Sequence, residues 1–173
     1  LIAAKNYGGP GTVIEGITEK DVETVENLGL FRSVAPSLAR QVQVEYKDKV
    51  VFTQIFATPG KDYKESFADF AGDLETGRQI RDGDKYVVVI GHGVANDMFD
   101  KEIRVNNKID INGRKFTVAG IIEETGNREE DNQIATTLEA AREILNEPES
   151  VDFITARIKE GQEIEEVAEK IKR

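Results

Sequence analysis

The chain has 173 residues, 39% hydrophobic and 32% charged, enough for one ordinary domain or two small lobes sharing a boundary. Its net charge of −10 argues against nucleic acid as a partner and would repel an anionic lipid surface unless basic residues cluster locally. The absence of Cys excludes disulfides, thiolate catalysis and zinc–sulfur sites, and the longest apolar run, Val87 to Ile90, is far short of the ~20 residues of a membrane-spanning helix.

Residues 1–11 read as a strand remnant followed by a Gly-rich loop. A helix is expected at about 18–28, with Thr18 as cap and Asp21 three residues on in a capping-box arrangement. Ile17 and Val22 are spaced as a hydrophobic staple, Val22, Val25 and Leu28 share a face, and Gly29 supplies the stop. Ala39 to Glu45 alternates with Val42 and Val44 on one face, Val50 to Ala57 carries Val51, Phe52, Ile55 and Phe56, and the charged turn Tyr46-Lys47-Asp48-Lys49 between these strand-like runs predicts a β-hairpin. Tyr63, Phe67, Phe70 and Leu74 recur at helical spacing, so a short helix and an irregular turn are expected over 62–75.

Tyr86 to Ile90 reads as a strand buried on both faces, and Gly93 to Phe99 as a helix with Val94, Ala95, Met98 and Phe99 inward. Ile103-Arg104-Val105 is expected to begin an antiparallel unit. In it Ile109 and Ile111 face Phe116 and Val118 across an Asn112-Gly113 hairpin turn. Glu123 to Asp131 is expected to be an acidic loop. Thr136 and Glu139 form a capping-box pattern before a helix over 137–146, which closes before Pro148. Val151 to Ile158 predicts a strand. A last helix from about 162 places Ile164, Val167, Ala168 and Ile171 on one buried face. The order of elements predicts an α+β fold in which helices cover one side of largely antiparallel sheets.

Each candidate for chemistry has a plainer reading. His92 is the only histidine, so no His–His metal pair or histidine relay is available within the chain. Gly91-His92-Gly93 follows a strand, but Asn96 breaks the G-x-G-x-x-G spacing, and a simple strand-to-helix turn explains it. Glu123, Glu124, Glu129, Glu130 and Asp131 lack the alternating Asp/Asn spacing of a calcium loop and read as solvated carboxylates. With 33 carboxylates nothing marks out a hydrolytic pair, and no serine lies in a G-x-S-x-G elbow. No catalytic, metal-binding or cofactor-binding residue is therefore expected. The candidate partner-contact residues are the aromatics Phe67 and Phe70 and the basic residues Arg104 and Arg114 near the hairpin. Core packing is the plainer fate of the first pair, and a mixed solvated face that of the second.

The ordered motifs resemble the MacB-like periplasmic core domain, the extracytoplasmic domain of ABC transporter permeases of the MacB, LolC/LolE and FtsX-like superfamily. Gly16-Ile17-Thr18-Glu19-Lys20-Asp21-Val22 matches the family's opening helix, and Gly77-Arg78 its glycine–arginine pair. Val88 to Gly91 with Val94, Ala95, Met98 and Phe99 match its strand and helix. Val105, Ile109, Ile111, Gly113, Phe116, Val118, Gly120 and Ile121 match its hairpin, with Asn106 where the family usually carries glycine.

The resemblance implies a porter-like α+β lobe built from residues 1–60 and 131–173 and a smaller β-rich lobe from 61–130. It implies a domain inserted between the first and second transmembrane helices of a permease. That expectation agrees with a chain that opens on Leu1 and stops within a helical pattern. It also implies a non-catalytic lever on the extracytoplasmic face of the cell membrane, relaying conformational change driven by an ABC ATPase, with a second permease copy as partner. Such a lever would support export of a substrate. The alternative is a cell-surface adaptor that recruits an extracellular partner protein.

Overall fold

The structure is a computed structural model that describes residues 2–3, 17–64 and 73–171. Among the described residues nine strands run in chain order: β1 (Ile2–Ala3), β2 (Phe31–Tyr46), β3 (Lys49–Thr58), β4 (Leu74–Gly77), β5 (Val87–Ile90), β6 (Lys108–Ile111), β7 (Arg114–Ile122), β8 (Gln133–Thr137) and β9 (Phe153–Ile158). The helices among the described residues are α1 (Glu19–Asn27), α2 (His92–Asn96), α3 (Arg128–Asp131), α4 (Leu138–Leu145) and α5 (Ile164–Ile171). The expected α+β class is the one observed.

Pairing runs from β2 to β3, β8, β5, β7 and β6, and β6 returns to β2, so six strands close a barrel. Alternation along each strand sends one row of side chains inward. Val42, Val44, Ile55, Val88, Ile90, Ile109, Ile111, Phe116, Val118 and Ile134 fill the interior as one apolar cluster. Residues on both sides of the expected lobe boundaries, Ile55 and Ile134 with Val88 and Phe116, share that cluster. The barrel closes at Val44↔Ile111 and Glu45↔Asp110, two residue pairs against nine between β2 and β3.

A second, smaller sheet has the order β1–β9–β2 and is antiparallel throughout. α1 and α5 pack on it through Val22, Val25, Phe31, Ile154 and Val167. β2 belongs to both sheets, since residues 31–37 pair with β9 and 38–46 with β3. Among the described residues the first half of β2 pairs only with β9. Its other edge has no strand partner among the described residues, and there the missing N–H of Pro36 is tolerated.

The hairpin, the buried strand β5 and strand β9 stand where the sequence places them. Asn112 and Gly113 have φ of +48° and +83°, the backbone of a two-residue hairpin turn. Other elements differ from expectation. β2 starts at Phe31 instead of Ala39, because pairing with β9 outweighs the turn signals of Ser33, Pro36 and Ser37. Residues 133–137 form β8, so the helix after it is capped by Thr137, whose Oγ1 accepts the Ala140 N–H at 3.4 Å. Thr136 instead donates its hydroxyl to the Val87 carbonyl at 2.8 Å.

Leu74 to Gly77 is a strand against β7, and the antiparallel unit opens at Lys108, after a turn at 103–107. Two pairings, β3 with β8 and β5 with β7, are parallel; the other seven among the described residues are antiparallel. α2 ends at Asn96, short of Phe99. Residues 128–131 form a helical turn inside the expected acidic loop, and Ile164 is 69% exposed while Val167 is buried. Most of the expected helix over 62–75 lies outside the described residues.

Candidate interaction surfaces

The Gly91-His92-Gly93 turn is shaped by packing. A Cβ on Gly91 would stand 2.3 Å from the Asp131 carbonyl oxygen, and one on Gly93 would stand 2.2 Å from Asn132 Oδ1. The glycines let α2 approach the 130–132 segment, and Gly91 N–H donates to the Gln133 carbonyl at 2.9 Å. His92 Nδ1 lies 3.1 Å from Glu75 Oε2, with Asn96 beside the ring.

The acidic stretch is ordered by its own polar groups. The buried Asp131 accepts the Thr125 N–H at 2.8 Å and its hydroxyl at 2.9 Å, and Asn127 caps the turn by accepting the Glu129 N–H at 3.0 Å. Among the described residues no group of three or more His, Asp and Glu side chains is placed to hold a metal ion.

Of the four candidate contact residues, the two that are described, Arg104 and Arg114, enter different arrangements. Phe67 and Phe70 lie outside the described residues. Arg104 is exposed and holds Glu102 through Nε at 3.2 Å and Nη2 at 2.9 Å. It borders a small cleft of about 290 Å³ with Glu75, Thr76, Asn96, Glu102, Val105 and Ile121.

Arg114 enters a different arrangement. Its guanidinium sits 5.0 Å from the Tyr86 ring centre, and its Nη2 donates to Glu143 Oε1 at 3.0 Å. The Tyr86 hydroxyl donates to the same oxygen at 2.5 Å, and Lys85 Nζ is 3.6 Å from the other carboxylate oxygen. The hydrogen bond from Tyr86, aided by the charges of Lys85 and Arg114, holds the Glu143 carboxyl below the usual range. Tyr86 has φ of +52°, an uncommon backbone for an aromatic residue, and this cluster fixes it.

α4 carries two grips that sequence reasoning missed. Arg142 Nη2 donates to Glu19 on α1 at 2.7 Å and to the Ser150 carbonyl at 3.0 Å. The next residue, Glu143, holds Tyr86 and Arg114 of the barrel. Beside them α4 and the turns at 59–61 and 82–84 border a cleft of about 730 Å³. Arg40 adds a further link, pairing with Glu147 at 3.1 Å and with Asp152. Pairs so distant in sequence leave no local signal. The exposed apolar pair Val50 and Phe52, at 48% and 63%, was legible by parity: both alternate with Val51, Thr53 and Ile55, so they point away from the core.

Asn106, the departure from the family pattern, has φ of +71°, and its N–H donates to the Val118 carbonyl at 2.8 Å. Asn occupies the left-handed region with less strain than most residues, and the turn is kept.

Comparison with known proteins agrees with this geometry. Residues 2–173 match the family model described as the MacB-like periplasmic core domain. An uncharacterized ABC transporter permease of Methanocaldococcus jannaschii is 32% identical over the whole chain, which covers 43% of that protein. The macrolide export ATP-binding/permease protein MacB of Bdellovibrio bacteriovorus is 26% identical over 90% of the chain, which covers 24% of it. The chain thus spans less than half the length of these relatives.

The fold matches the periplasmic region of MacB from Actinobacillus actinomycetemcomitans with a TM-score of 0.78 at 15% identity, covering 98% of this chain and 78% of that one. It matches the extracellular domain of the noncanonic ABC-type transporter YknZ from Gram-positive bacteria with a TM-score of 0.69 at 15% identity, covering 87% and 78%. A match over essentially the full length, a permease relative above 30% identity and a shared fold agree. The chain belongs to the MacB-like periplasmic core domain family and is the periplasmic or extracellular domain of a membrane ABC transporter permease.

Proposed function

We propose that this domain is a non-catalytic lever that relays ATP-driven motion of the transporter to export of its substrate. ATP hydrolysis belongs to the nucleotide-binding part of the transporter, and a second permease copy completes the moving pair. The observation that carries the reading is the placement of α4. Arg142 grips α1, beside the small sheet, and Glu143 grips the barrel at Tyr86 and Arg114. A helix held from both sides by adjacent residues transmits displacement between two packed bodies without a reactive group. The two-lobe organisation enters here as part of the proposal. The apolar clusters support one body of α1, α5, β9 and the first half of β2, and a second body made of the barrel.

The test is the complete transporter reconstituted with its ATPase. Arg142→Ala combined with Glu143→Gln is expected to leave ATP hydrolysis running while transport falls about tenfold, the scale of ~1.4 kcal/mol of lost coupling. Transport and hydrolysis unchanged together would defeat the proposal.

The second reading, an adaptor that recruits an extracellular partner, is favoured by one observation, the exposed pair Val50 and Phe52 on the outer face of the hairpin. Phe67, Phe70, Arg104 and Arg114 remain contact residues of that reading. Affinity capture with the intact permease and with Phe52→Ser tests it. Loss of a captured protein in the variant supports the adaptor, and identical capture counts against it.

A further inference from the structure

The outer face of the β2–β3 hairpin holds no charge at its centre, although the chain is 32% charged. Phe52 stands opposite Gln43 and Gln54 opposite Gln41, and on the far side of β3 Gln54 stands beside Gln133 of β8. Side chains opposite one another share a sheet face, so these residues point outward together with Val50 and Phe56, which alternate with them along β3. Gln41, Gln43, Val50, Phe52 and Gln54 are exposed, Phe52 by 63%. A solvated surface is about 25–35% charged, so the seven positions together would ordinarily carry about two charges. Charge returns at the rim, with Glu45 opposite Val50 and Asp110 beside Glu45 on β6. The adjoining outer face is covered by contrast: Ala135, beside Phe56, packs against Tyr63, Ile80 and Val89.

We propose that this face docks on the same face of a second copy of the chain, across a two-fold axis near Phe52 and Gln43. The inference rests on the lever reading, which supplies the second permease copy, and names the surface that the copy meets. Two chains of net charge −10 repel wherever their carboxylates are opposed, and approach at least cost where the surface is uncharged. A two-fold contact sets each residue near the axis against its own kind or an immediate neighbour. A glutamine amide both donates and accepts, so Gln41, Gln43, Gln54 and Gln133 can pair with their counterparts, as a lysine or a glutamate could not. Phe52 supplies the apolar centre and Glu45 part of the polar rim. The contact is small. At about 4.8 Å between strands and ~6.8 Å between successive residues of one face, seven positions span on the order of 230 Å² of sheet. A stable interface buries about 800 Å² per partner. A patch of this size holds two copies only while the membrane keeps them close, and so lets them part and meet as a lever pair must. Val50 and Phe52 alone would suit any apolar partner; the glutamines around them select an identical one.

The experiment uses the full permease, with other cysteines replaced, reconstituted with its ATPase in liposomes. Gln43→Cys is compared with Glu160→Cys, an exposed position beyond β9, using a short thiol-to-thiol cross-linker. Cross-linked permease dimer is expected at position 43 at a yield at least about fivefold above that at position 160. Phe52→Glu or Phe52→Lys, each added to Gln43→Cys, should lower the yield at least about fivefold by opposing like charges. The two charged variants, mixed in one membrane, should exceed either alone by at least about threefold. Rescue between copies cannot come from a misfolded chain.

Equal yields at positions 43 and 160, or no rescue on mixing, would overturn the proposal. In membranes of the expressing cell, an adduct of Gln43→Cys with a protein other than the permease, in place of the dimer, would overturn it in favour of the adaptor. Photobleaching steps of a labelled permease count its copies in the same liposomes. Two copies without a cross-link at position 43 reject this face and leave the lever reading standing. A single copy rejects the second-copy reading, and the face with it.

Discussion

At the scale of single residues, Arg78 shows how a motif residue acts through structure. Its guanidinium donates to both oxygens of Asp84, at 2.7 and 3.0 Å, and the Arg81 N–H adds a third bond at 2.9 Å. Gly77 before it has φ of +86°, and a Cβ there would stand 2.2 Å from the Ala119 carbonyl oxygen. The glycine lets β4 lie on β7, and the arginine then clamps the 81–84 turn. These hydrogen bonds, from Arg78 foremost, hold the Asp84 carboxyl below its ordinary range. A carboxyl depressed in the folded state contributes its full stability above the unfolded value near 3.9, and loses it as pH falls through the folded value. Asp84→Asn is therefore expected to be less stable than the unaltered chain by on the order of 1 kcal/mol near pH 7. The gap should narrow once the pH drops below about 4. Denaturant midpoints across that range measure it, and a gap independent of pH would show that the charge is not the cause. Gly91→Ala tests the packing reading of the other glycine motif. It should cost about 1–3 kcal/mol by forcing α2 off the 130–132 segment, read as a lower thermal midpoint, and an unchanged midpoint would refute the packing argument.

Among elements, legibility followed sequence distance. α1 was readable because its signals are local: Asp21 accepts the Thr18 N–H and hydroxyl, both at 2.7 Å, and Ile17 packs on the cluster that holds Val22. The hairpins were readable for the same reason. The first half of β2, β4 and β8 were not, because β9, β7 and the β3–β5 gap that hold them lie far away in sequence. The same distance hid the grips of α4, whereas the exposure of Phe52, which the sequence reading did not pick out, has a local signal in its parity with Val50 against Thr53 and Ile55. The cap of α4 shows how a local rule fails. Thr136 and Glu139 have capping-box spacing, but Thr136 is drawn into β8 and the cap falls one residue later. Thr137→Ala is accordingly expected to cost about 1 kcal/mol and to speed exchange of the Ala140 amide. Glu139→Ala should stay within about 0.5 kcal/mol, since its side chain has no capping role. Equal losses from the two substitutions, in denaturation midpoints, would restore the box the sequence suggests.

At the scale of the whole molecule, the barrel is uneven around its circumference. β2 and β3 share nine residue pairs, while β2 and β6 share two, reinforced by Asn112. The Asn112 N–H donates to the Gln43 carbonyl and its Oδ1 accepts the Gln43 N–H, both at 3.0 Å. One residue thus turns the hairpin, with φ of +48°, and fastens it to β2. Local opening follows thinly bonded boundaries, and this seam is one of two in the barrel with only two residue pairs, the other being β5 with β8, so it is expected to yield before the β2–β3 boundary. β2 also carries the small sheet, so a seam that opens frees the strand joining the two bodies to change its angle. Asn112→Gly keeps the left-handed backbone and deletes the acceptor. It should cost about 1 kcal/mol and raise hydrogen exchange at Gln43, with the amides of β3 unaffected. Asn112→Asp, which retains an acceptor, should keep Gln43 slow. Exchange rising equally along β3 would mean that the barrel opens only as a whole, and the seam would then have no independent part in the lever.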